Sequence, residues 1–301
     1  MTIRFDQQVA IVTGAGGGLG RQHALALAAR GAAVVVNDLG GSLDGGAGAG
    51  TAAEAVVDEI RAAGGRAMAD GASVTDADAV QAMVDRAIAE WGRVDMLVCN
   101  AGILRDKSFA KMDLADFRLV LDVHLMGSVH CCKAVWEPMR AAGRGRIVLT
   151  TSSSGLYGNF GQSNYGAAKM ALVGLMQTLS LEGAKHGIRV NCLAPTAATR
   201  MTESLMPQAV LDRLDPASVT PAVLALCAEE APTRTILCAG AGSFEQAHVT
   251  LTEGIHVGSG GDAAEQVLAR LAEIAERDGE TVPKDGSAQG TLEIGKAMRA
   301  G

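Results

Sequence analysis

The sequence predicts an α/β fold, a doubly wound (Rossmann) parallel sheet forming a single domain with a C-terminal extension. Three observations predict it. Short β-branched apolar runs alternate with longer segments of helical periodicity. A glycine-rich turn joins the first run to the first helix, and the composition does not change before about residue 255. Such alternation is typical of parallel strands joined by right-handed crossovers.

Seven strands and five helices are expected in the sheet domain. The apolar runs predict strands at Val9–Thr13, Ala33–Asp38, Arg66–Ala69, Val94–Cys99, Ile147–Thr151, Ile188–Leu193 and Thr235–Cys238. Helical spacing of apolar residues predicts helices at Leu19–Arg30, Ala52–Ala63, Asp76–Trp91, Asp113–Arg140 and Ser163–His186.

Two segments lie outside this minimal pattern. The glycine-rich segment Leu39–Gly50 is expected to be a surface loop. We expect residues 1–257 to form the sheet domain and residues 258–301 to form the extension, with one amphipathic helix at Ala263–Arg277. The extension would serve either as a subunit contact or as a tail.

Composition limits the class of protein. Of the 301 residues, 48% are apolar and only 3% aromatic, which favours close packing of helices on a sheet. The net charge of −7 argues against nucleic acid as a partner. No signal-like segment and no apolar run of about 20 residues is present, so we expect a cytoplasmic protein without a membrane span.

The cysteines do not suggest a metal site or a disulfide framework. They show no CxxC or zinc-like spacing, so we expect reduced core residues and no bound metal. The six are Cys99, Cys131, Cys132, Cys192, Cys227 and Cys238.

A nucleotide site is predicted where the first strand meets the first helix. The segment TGAGGGLG contains Gly14, Gly18 and Gly20 in the spacing GxxxGxG, with Gly16 and Leu19 completing the loop. Glycines here allow a tight turn and close approach to a pyrophosphate, while the helix N-terminus offers free N–H groups. The strand before and the helix after make this pattern specific.

Two residues at strand ends extend this predicted cofactor site. Asp38 closes the second strand, where a carboxylate can accept hydrogen bonds from both adenosine ribose hydroxyls and would repel a 2′-phosphate. That favours NAD over NADP, although Asp38 could also be a simple cap and Arg21 a contact for a 2′-phosphate. Asn100 ends the fourth strand and is placed to line the cleft, although Asn-Ala-Gly is also a turn signal.

Three residues form a predicted catalytic group. Tyr165 and Lys169 are four residues apart on a predicted helix and therefore share a face. Ser152 follows the fifth strand. A lysine ammonium and a cationic nicotinamide would favour the phenolate of Tyr165, which then exchanges a proton with the substrate oxygen. Ser152 can hydrogen-bond that same oxygen. His124 lies among apolar neighbours, where a histidine is usually a core residue.

Taken together, these motifs resemble the short-chain dehydrogenase/reductase family over residues 9 to about 240. The resemblance implies that Ser152, Tyr165 and Lys169 are catalytic and that Asn100, within Asn100-Ala101-Gly102, lies beside the adenosine. It also implies that Ser73 and Val74 contact the adenine. The segment from Pro195 to Thr199, which includes Ala198, would contact the nicotinamide carboxamide.

A narrower resemblance is to the (3R)-hydroxyacyl-CoA dehydrogenase units of the peroxisomal multifunctional enzymes type 2. It covers most of residues 3–245 and is carried by NDLGG, AGILRDKSFAKM, VHLMGS, GLYGNFGQSNYGAAK and APTAATRMTE. Most short-chain dehydrogenases have, at the position of His124, an Asn that completes a proton relay, whereas the multifunctional enzymes share the His. The resemblance therefore implies that His124 belongs to the active site.

The function expected from these patterns is NAD-dependent oxidation of a (3R)-3-hydroxyacyl-CoA, with a fatty or a steroid side-chain acyl group. Two other enzyme functions stay open: a 3-ketoacyl-thioester reductase using NADPH, which Asp38 disfavours, and a dehydrogenase of steroid ring hydroxyls. A non-catalytic nucleotide-binding scaffold is the alternative of another class. Because two long helices are rich in Ala and Leu on more than one face, we expect a homodimer or homotetramer.

Overall fold

A computed structural model describes residues 2–40, 51–198 and 207–300 of the chain. The chain forms two compact units, one up to Gln246 and one from Ala247 on. This division falls about ten residues before the boundary expected at residue 257. The sheet and every predicted cofactor or catalytic residue that the structure describes belong to the first unit.

The strands form one sheet. They are β1 (Val9–Thr13), β2 (Ala33–Asn37), β3 (Arg66–Asp70), β4 (Met96–Cys99), β5 (Gly145–Thr150), β6 (Ile188–Thr196), β7 (Ile236–Gly240) and β8 (Ser243–Ala247). Their order is β3-β2-β1-β4-β5-β6-β7-β8, and the first seven pair in parallel. The doubly wound fold predicted from the sequence is confirmed.

Helices cover the sheet and continue beyond it. They are α1 (Gly18–Ala29), α2 (Thr51–Ala62), α3 (Ala77–Trp91), α4 (Leu114–Leu121), α5 (Gly127–Ala142), α6 (Ser153–Tyr157), α7 (Ser163–Gly183), α8 (Gln208–Leu211), α9 (Thr220–Cys227), α10 (Ala263–Ala269), α11 (Leu271–Ile274) and α12 (Ser287–Ala300). None of the helices within the described ranges is long and apolar enough to cross a membrane.

The strand order fixes where a ligand can bind. The chain builds the sheet outward from β1 through β2 to β3, then returns to place β4 on the other side of β1. Ligands of open α/β sheets bind outside the carboxyl ends of the strands at such a reversal. The glycine-rich loop after β1 and Asn100 after β4 therefore stand on the two sides of this crevice.

The helix predicted over Asp113–Arg140 is interrupted. A π-helical turn, Asp122–Met126, separates α4 from α5, and His124 lies in its middle. A π turn inserts one extra residue and often marks a functional position. The helical periodicity of the sequence gives no sign of it, and the contact that joins His124 of this turn to Ile103 spans 21 residues of the chain.

The other departures lie near the end of the chain. β8 was not predicted because its sequence, SFEQA, is largely polar. It follows β7 after only Ala241 and Gly242, both at positive φ, and so short a connection joins antiparallel strands. The helix expected at Ala263–Arg277 is two short helices that meet at Arg270, and α12 was not predicted.

One face of α7 is apolar and uncovered in the single chain. Residues 167, 170, 174, 178 and 181 follow one another at helical spacing, and all are exposed and uncharged. Met170 and Leu181 are 40% and 50% exposed. Such a stripe is more typical of a buried helix face than of one in water.

We predict that this face is covered by a second copy of the chain. Light scattering at micromolar concentration is expected to give the mass of a dimer or tetramer. Gly174→Arg should weaken the assembly, because the glycine has open space around it in the single chain and the variant can fold. Gly71→Arg, at another open glycine, is the matched control. A monomer mass for the unaltered protein would contradict the prediction.

Candidate active site

The glycine-rich loop is tightly packed on one side and open on the other. A Cβ on Gly20 would lie 2.2 Å from the carbonyl oxygen of Gly14, so this position requires glycine. Gly14 has a φ of +63°, and a Cβ there would lie 2.8 Å from Ala101 Cα. Around Gly17, the N-cap of α1, a Cβ would meet no atom within 4 Å. The loop thus packs closely against β4 and leaves space in front of the helix N-terminus.

Asn100 and Thr13 join β4 to this loop. The Asn100 amide donates to the carbonyl oxygens of Thr13 and Gly14, each at 3.0 Å. Thr13 Oγ1 in turn accepts from the backbone N–H groups of Asn100 and Ala101, at 3.0 and 3.1 Å. Asn100 therefore shapes the glycine-rich loop directly.

Asp38 bonds to the same loop from β2. Its Oδ2 accepts from Gly16 N at 2.8 Å and its Oδ1 from Gly40 N at 2.7 Å. A carboxylate has about four acceptor sites, so each oxygen can take a further donor. Asp38 is only half-buried. Its geometry is compatible with binding two vicinal hydroxyls.

The remaining predicted cofactor contacts lie along the same edge of the sheet. Val74 is buried, and its carbonyl oxygen lies 2.9 Å from Nδ1 of His130, while Ser73 Oγ lies 2.8 Å from Thr75 Oγ1. Pro195 belongs to the end of β6, and Ala198 N donates to the carbonyl oxygen of Leu214. Thr199 lies outside the described residues, as does the glycine-rich segment 41–50.

The three predicted catalytic residues are brought together. Ser152 is the N-cap of α6, where its Oγ accepts from Ser154 N at 3.2 Å, and its hydroxyl lowers the pKa of the Tyr165 phenol. Lys169 Nζ lies 5.5 Å from the centroid of the Tyr165 ring and donates to the carbonyl oxygen of Thr150 at 2.5 Å. All three side chains meet at the carboxyl end of β5.

Burial sets the protonation of this group. It lowers the pKa of Lys169 from 10.5 to about 7, so the amine is only partly charged near neutral pH. Burial also raises the pKa of Tyr165, the hydrogen bond from Ser152 lowers it, and the charge of Asp106 raises it again. The lowering of the tyrosine pKa that was expected from Lys169 is therefore not found in the protein alone.

His124 contacts both Tyr165, the predicted catalytic tyrosine, and the loop after β4. Its ring meets the Tyr165 ring edge to face, with centroids 5.2 Å apart. Nε2 lies 2.8 Å from the carbonyl oxygen and 3.1 Å from the nitrogen of Ile103, while Nδ1 is buried without a hydrogen-bond partner. Burial and the charge of Lys169 hold the His124 pKa well below its usual value, so the ring is neutral. A Cβ on Gly102 would lie 2.3 Å from this ring.

Two buried amides next to Tyr165 were missed by the sequence analysis. Asn164 is fully buried, accepts from Tyr165 N at 2.8 Å and donates to the carbonyl oxygen of Arg105 at 3.0 Å. Gln162 is 7% exposed and donates to Asp106 at 2.6 Å. The sequence does show two amide residues shortly before Tyr165. They lie at the start of a helix, where a polar residue is usually interpreted as a helix cap.

The residues present fit a dinucleotide. No side chain caps α1 and no acidic residue lies in its first turn, so its N–H groups face open space suited to a phosphate. Asp38 keeps free acceptor sites beside this helix end, as a ribose would require. Within the described ranges no cluster of three or more His, Cys, Asp or Glu side chains could hold a metal ion.

The fold and this constellation define a class of protein. The short chain dehydrogenase family matches residues 8–209, and the chain belongs to that family. Proteins of this family are oxidoreductases that use NAD or NADP.

Three relatives illustrate the match. A short-chain type dehydrogenase/reductase of Mycobacterium tuberculosis is 49% identical over 276 residues, covering 91% of this chain and 96% of that protein. Peroxisomal multifunctional enzyme type 2 of Drosophila melanogaster is 52% identical over 227 residues, 75% of this chain but 38% of that enzyme. Its full-length structure covers 96% of this chain and 49% of its own, with a TM-score of 0.79 and 38% identity. A 7α-hydroxysteroid dehydrogenase complexed with NADH has a TM-score of 0.71 and 32% identity, covering 81% of this chain and 96% of its own.

We predict that His124 contributes to both stability and rate. His124→Ala should lower the melting temperature, because the polar backbone groups of Ile103 lose their buried partner, at a cost of about 1–3 kcal/mol. It should also lower the rate of hydride transfer at saturating substrate, because the variant would lack the proton-relay member that the resemblance implies at this position. His124→Asn, the residue usual in the family, should restore both. A His124→Ala enzyme that melts several degrees lower but keeps its rate per folded molecule would assign His124 a structural role alone.

Proposed function

We propose that the protein oxidises (3R)-3-hydroxyacyl-CoA thioesters to 3-ketoacyl-CoA thioesters with NAD. The observation that carries this proposal is the identity of about half to a peroxisomal multifunctional enzyme type 2 over three quarters of the chain. That identity is joined to a complete group of Ser152, Tyr165 and Lys169. The acyl group is either a fatty chain or a steroid side chain, and the match spans 38% of the length of that multifunctional enzyme.

The reaction needs one proton acceptor beside the substrate hydroxyl. NAD, when bound, supplies the acceptor for the hydride. Tyr165, as the phenolate, takes the hydroxyl proton, while Ser152 Oγ hydrogen-bonds the same oxygen and orients it. The product is a ketone, and the proton rests on the tyrosine.

Lys169 supports this proton transfer, since its Nζ lies 5.5 Å from the centroid of the Tyr165 ring. Its amine is held by the carbonyl oxygen of Thr150, and its pKa of about 7 lies close to neutral pH. A group that is half protonated at the working pH can both give and accept a proton with little change in free energy. Lys169 can therefore take up a proton from its surroundings and pass it onward.

A panel of substrates tests the proposed function. We expect turnover with 3-hydroxyacyl-CoAs of graded length or with a steroid side-chain CoA, and selectivity for the R epimer. Tyr165→Phe should lower turnover roughly 10²–10⁴-fold, the usual loss when a positioned acid or base is removed. NADH binding, followed by its fluorescence, should persist because the ring still packs. Turnover of a ring hydroxysteroid with no activity on any CoA thioester would overturn the proposed substrate.

The choice of NAD over NADP is proposed to depend on Asp38. Its carboxylate would bind both ribose hydroxyls and repel a 2′-phosphate at the same place. The 3-ketoacyl-thioester reductase alternative would need NADPH, which this charge disfavours.

We predict that Asp38→Ala weakens NAD binding roughly ten- to hundredfold, since hydrogen bonds to a charged group are lost. It should also relax the exclusion of NADP. Asp38→Asn is the matched control, because it removes the charge and keeps an acceptor for the Gly16 N–H. Dissociation constants for both nucleotides measure the effect. Faster turnover of the unaltered enzyme with NADP than with NAD, at equal low concentration, would contradict the assignment.

A further inference from the structure

Gln162 has more hydrogen-bonding partners than a loop residue needs. Its Oε1 accepts from Ser154 Oγ at 2.8 Å and from Asn159 Nδ2 at 3.0 Å. Its Nε2 donates to Asp106 Oδ2 at 2.6 Å. The Gln162 side chain is buried although Asp106 and Asn159 are exposed, so a lost bond leaves a polar atom of Gln162 itself unpaired.

The position of this amide connects two catalytic segments. Gln162 immediately precedes α7 and lies three residues before Tyr165. Its backbone carbonyl oxygen accepts from Gly166 N, in the first turn of that helix, at 2.7 Å. On its other side it holds Ser154, whose N–H donates to Ser152 Oγ. The amide therefore lies between the helix turn that carries Ser152 and the helix turn that carries Tyr165.

We propose that Gln162 is a positioning residue, anchored by Asp106, that sets the spacing of Ser152 and Tyr165 for proton transfer. The anchor lies on the loop after β4, and the same loop donates Lys107 N to the carbonyl oxygen of Gly161 at 2.9 Å. Two bonds thus join this loop to the segment before α7. The proposal rests on the role of Tyr165 as general base in the proposed function.

The charge of the anchor bears on the tyrosine as well. Three titratable groups of the described protein face Tyr165, namely Lys169 on its own helix, His124 on the π turn and Asp106 on the loop. His124 is neutral because burial and the charge of Lys169 hold its pKa well below the usual value. Asp106 raises the pKa of Tyr165, which opposes formation of the phenolate. The hydrogen bond from Gln162 engages this carboxylate and fixes where its charge lies.

Three isosteric variants separate a positioning role from a purely stabilising one: Gln162→Glu, Asp106→Asn, and the double variant that combines them. Gln162→Glu sets two carboxylates against each other and removes the donor, so kcat should fall roughly ten- to hundredfold, as expected for a small displacement of catalytic groups. In the double variant Asp106→Asn with Gln162→Glu, the asparagine donates and the glutamate accepts, while Ser154 and Asn159 keep their partner. We expect kcat to recover to within about threefold of the unaltered enzyme, on the same scale of displacement effects.

A spectroscopic titration supplies a measurement that does not depend on substrate. The chain has two tyrosines, so a Tyr157→Phe background leaves Tyr165 as the one phenol whose ultraviolet absorbance changes on ionisation. Asp106→Asn should lower the pKa of Tyr165 and move the acid limb of the oxidation rate to lower pH. Gln162→Glu should raise that pKa, and the double variant should return it towards the original value.

The outcomes divide cleanly. A Gln162→Glu enzyme that melts lower but keeps its rate per folded molecule and its tyrosine titration would overturn the proposal, as would a double variant no faster than the single one. If Gln162→Glu fails to fold, Asp106→Asn decides, and an unchanged titration of Tyr165 in that variant overturns the proposal. Absence of turnover by the unaltered enzyme on the whole substrate panel would instead refute the proposed function, while the titration still tests this inference.

Discussion

The hydrogen bonds made by the loop after β4, Asn100–Ser108, are the constraint on which the active site depends. Buried backbone groups must be paired, and this loop has no helix or strand to pair them within itself. Its partners are Thr13 in the cofactor loop, His124 in the π turn, and Asn164 and Gly161 at the start of α7. Because these partners hold the cofactor site and the catalytic helix, one loop fixes the distance between them.

The same arrangement buries the amine of Lys169 at the centre of the site, where its charged form is unfavourable. Lys169 is 3% exposed, and burial of an amine favours its neutral form. A soluble domain rarely buries a lysine without an acid beside it, and here the nitrogen has the carbonyl oxygen of Thr150. Its pKa of about 7 is the result. Burial of this amine costs stability and leaves its pKa near neutral pH, a combination that is common in active sites.

The sequence was sufficient for features that depend on local patterns. β1 and β2 are continuous apolar runs, and the glycine-rich loop and the spacing of Tyr165 and Lys169 identify the cofactor and catalytic ends of the sheet. The π turn and the Gln162 network could not be predicted in the same way. His124 of the π turn contacts Ile103, 21 residues away, and Gln162 bonds to Asp106, 56 residues away, and a helical sequence pattern displays neither contact. β8 escaped for a different reason, since a polar edge strand lacks the apolar signal.

The ring of His124 connects the loop after β4 to Tyr165, because it contacts Ile103 on one side and the tyrosine ring on the other. Nε2 lies 2.8 Å from the carbonyl oxygen and 3.1 Å from the nitrogen of Ile103, so it has a backbone partner in either neutral tautomer. Nδ1 is left without a partner, as an acceptor when Nε2 carries the proton and as a donor when Nδ1 carries it. The charge of Lys169 acts on this ring. An asparagine at the same position would also present one donor and one acceptor. A neutral histidine can therefore replace that amide as an anchor for Ile103 and keep a second ring nitrogen without a partner.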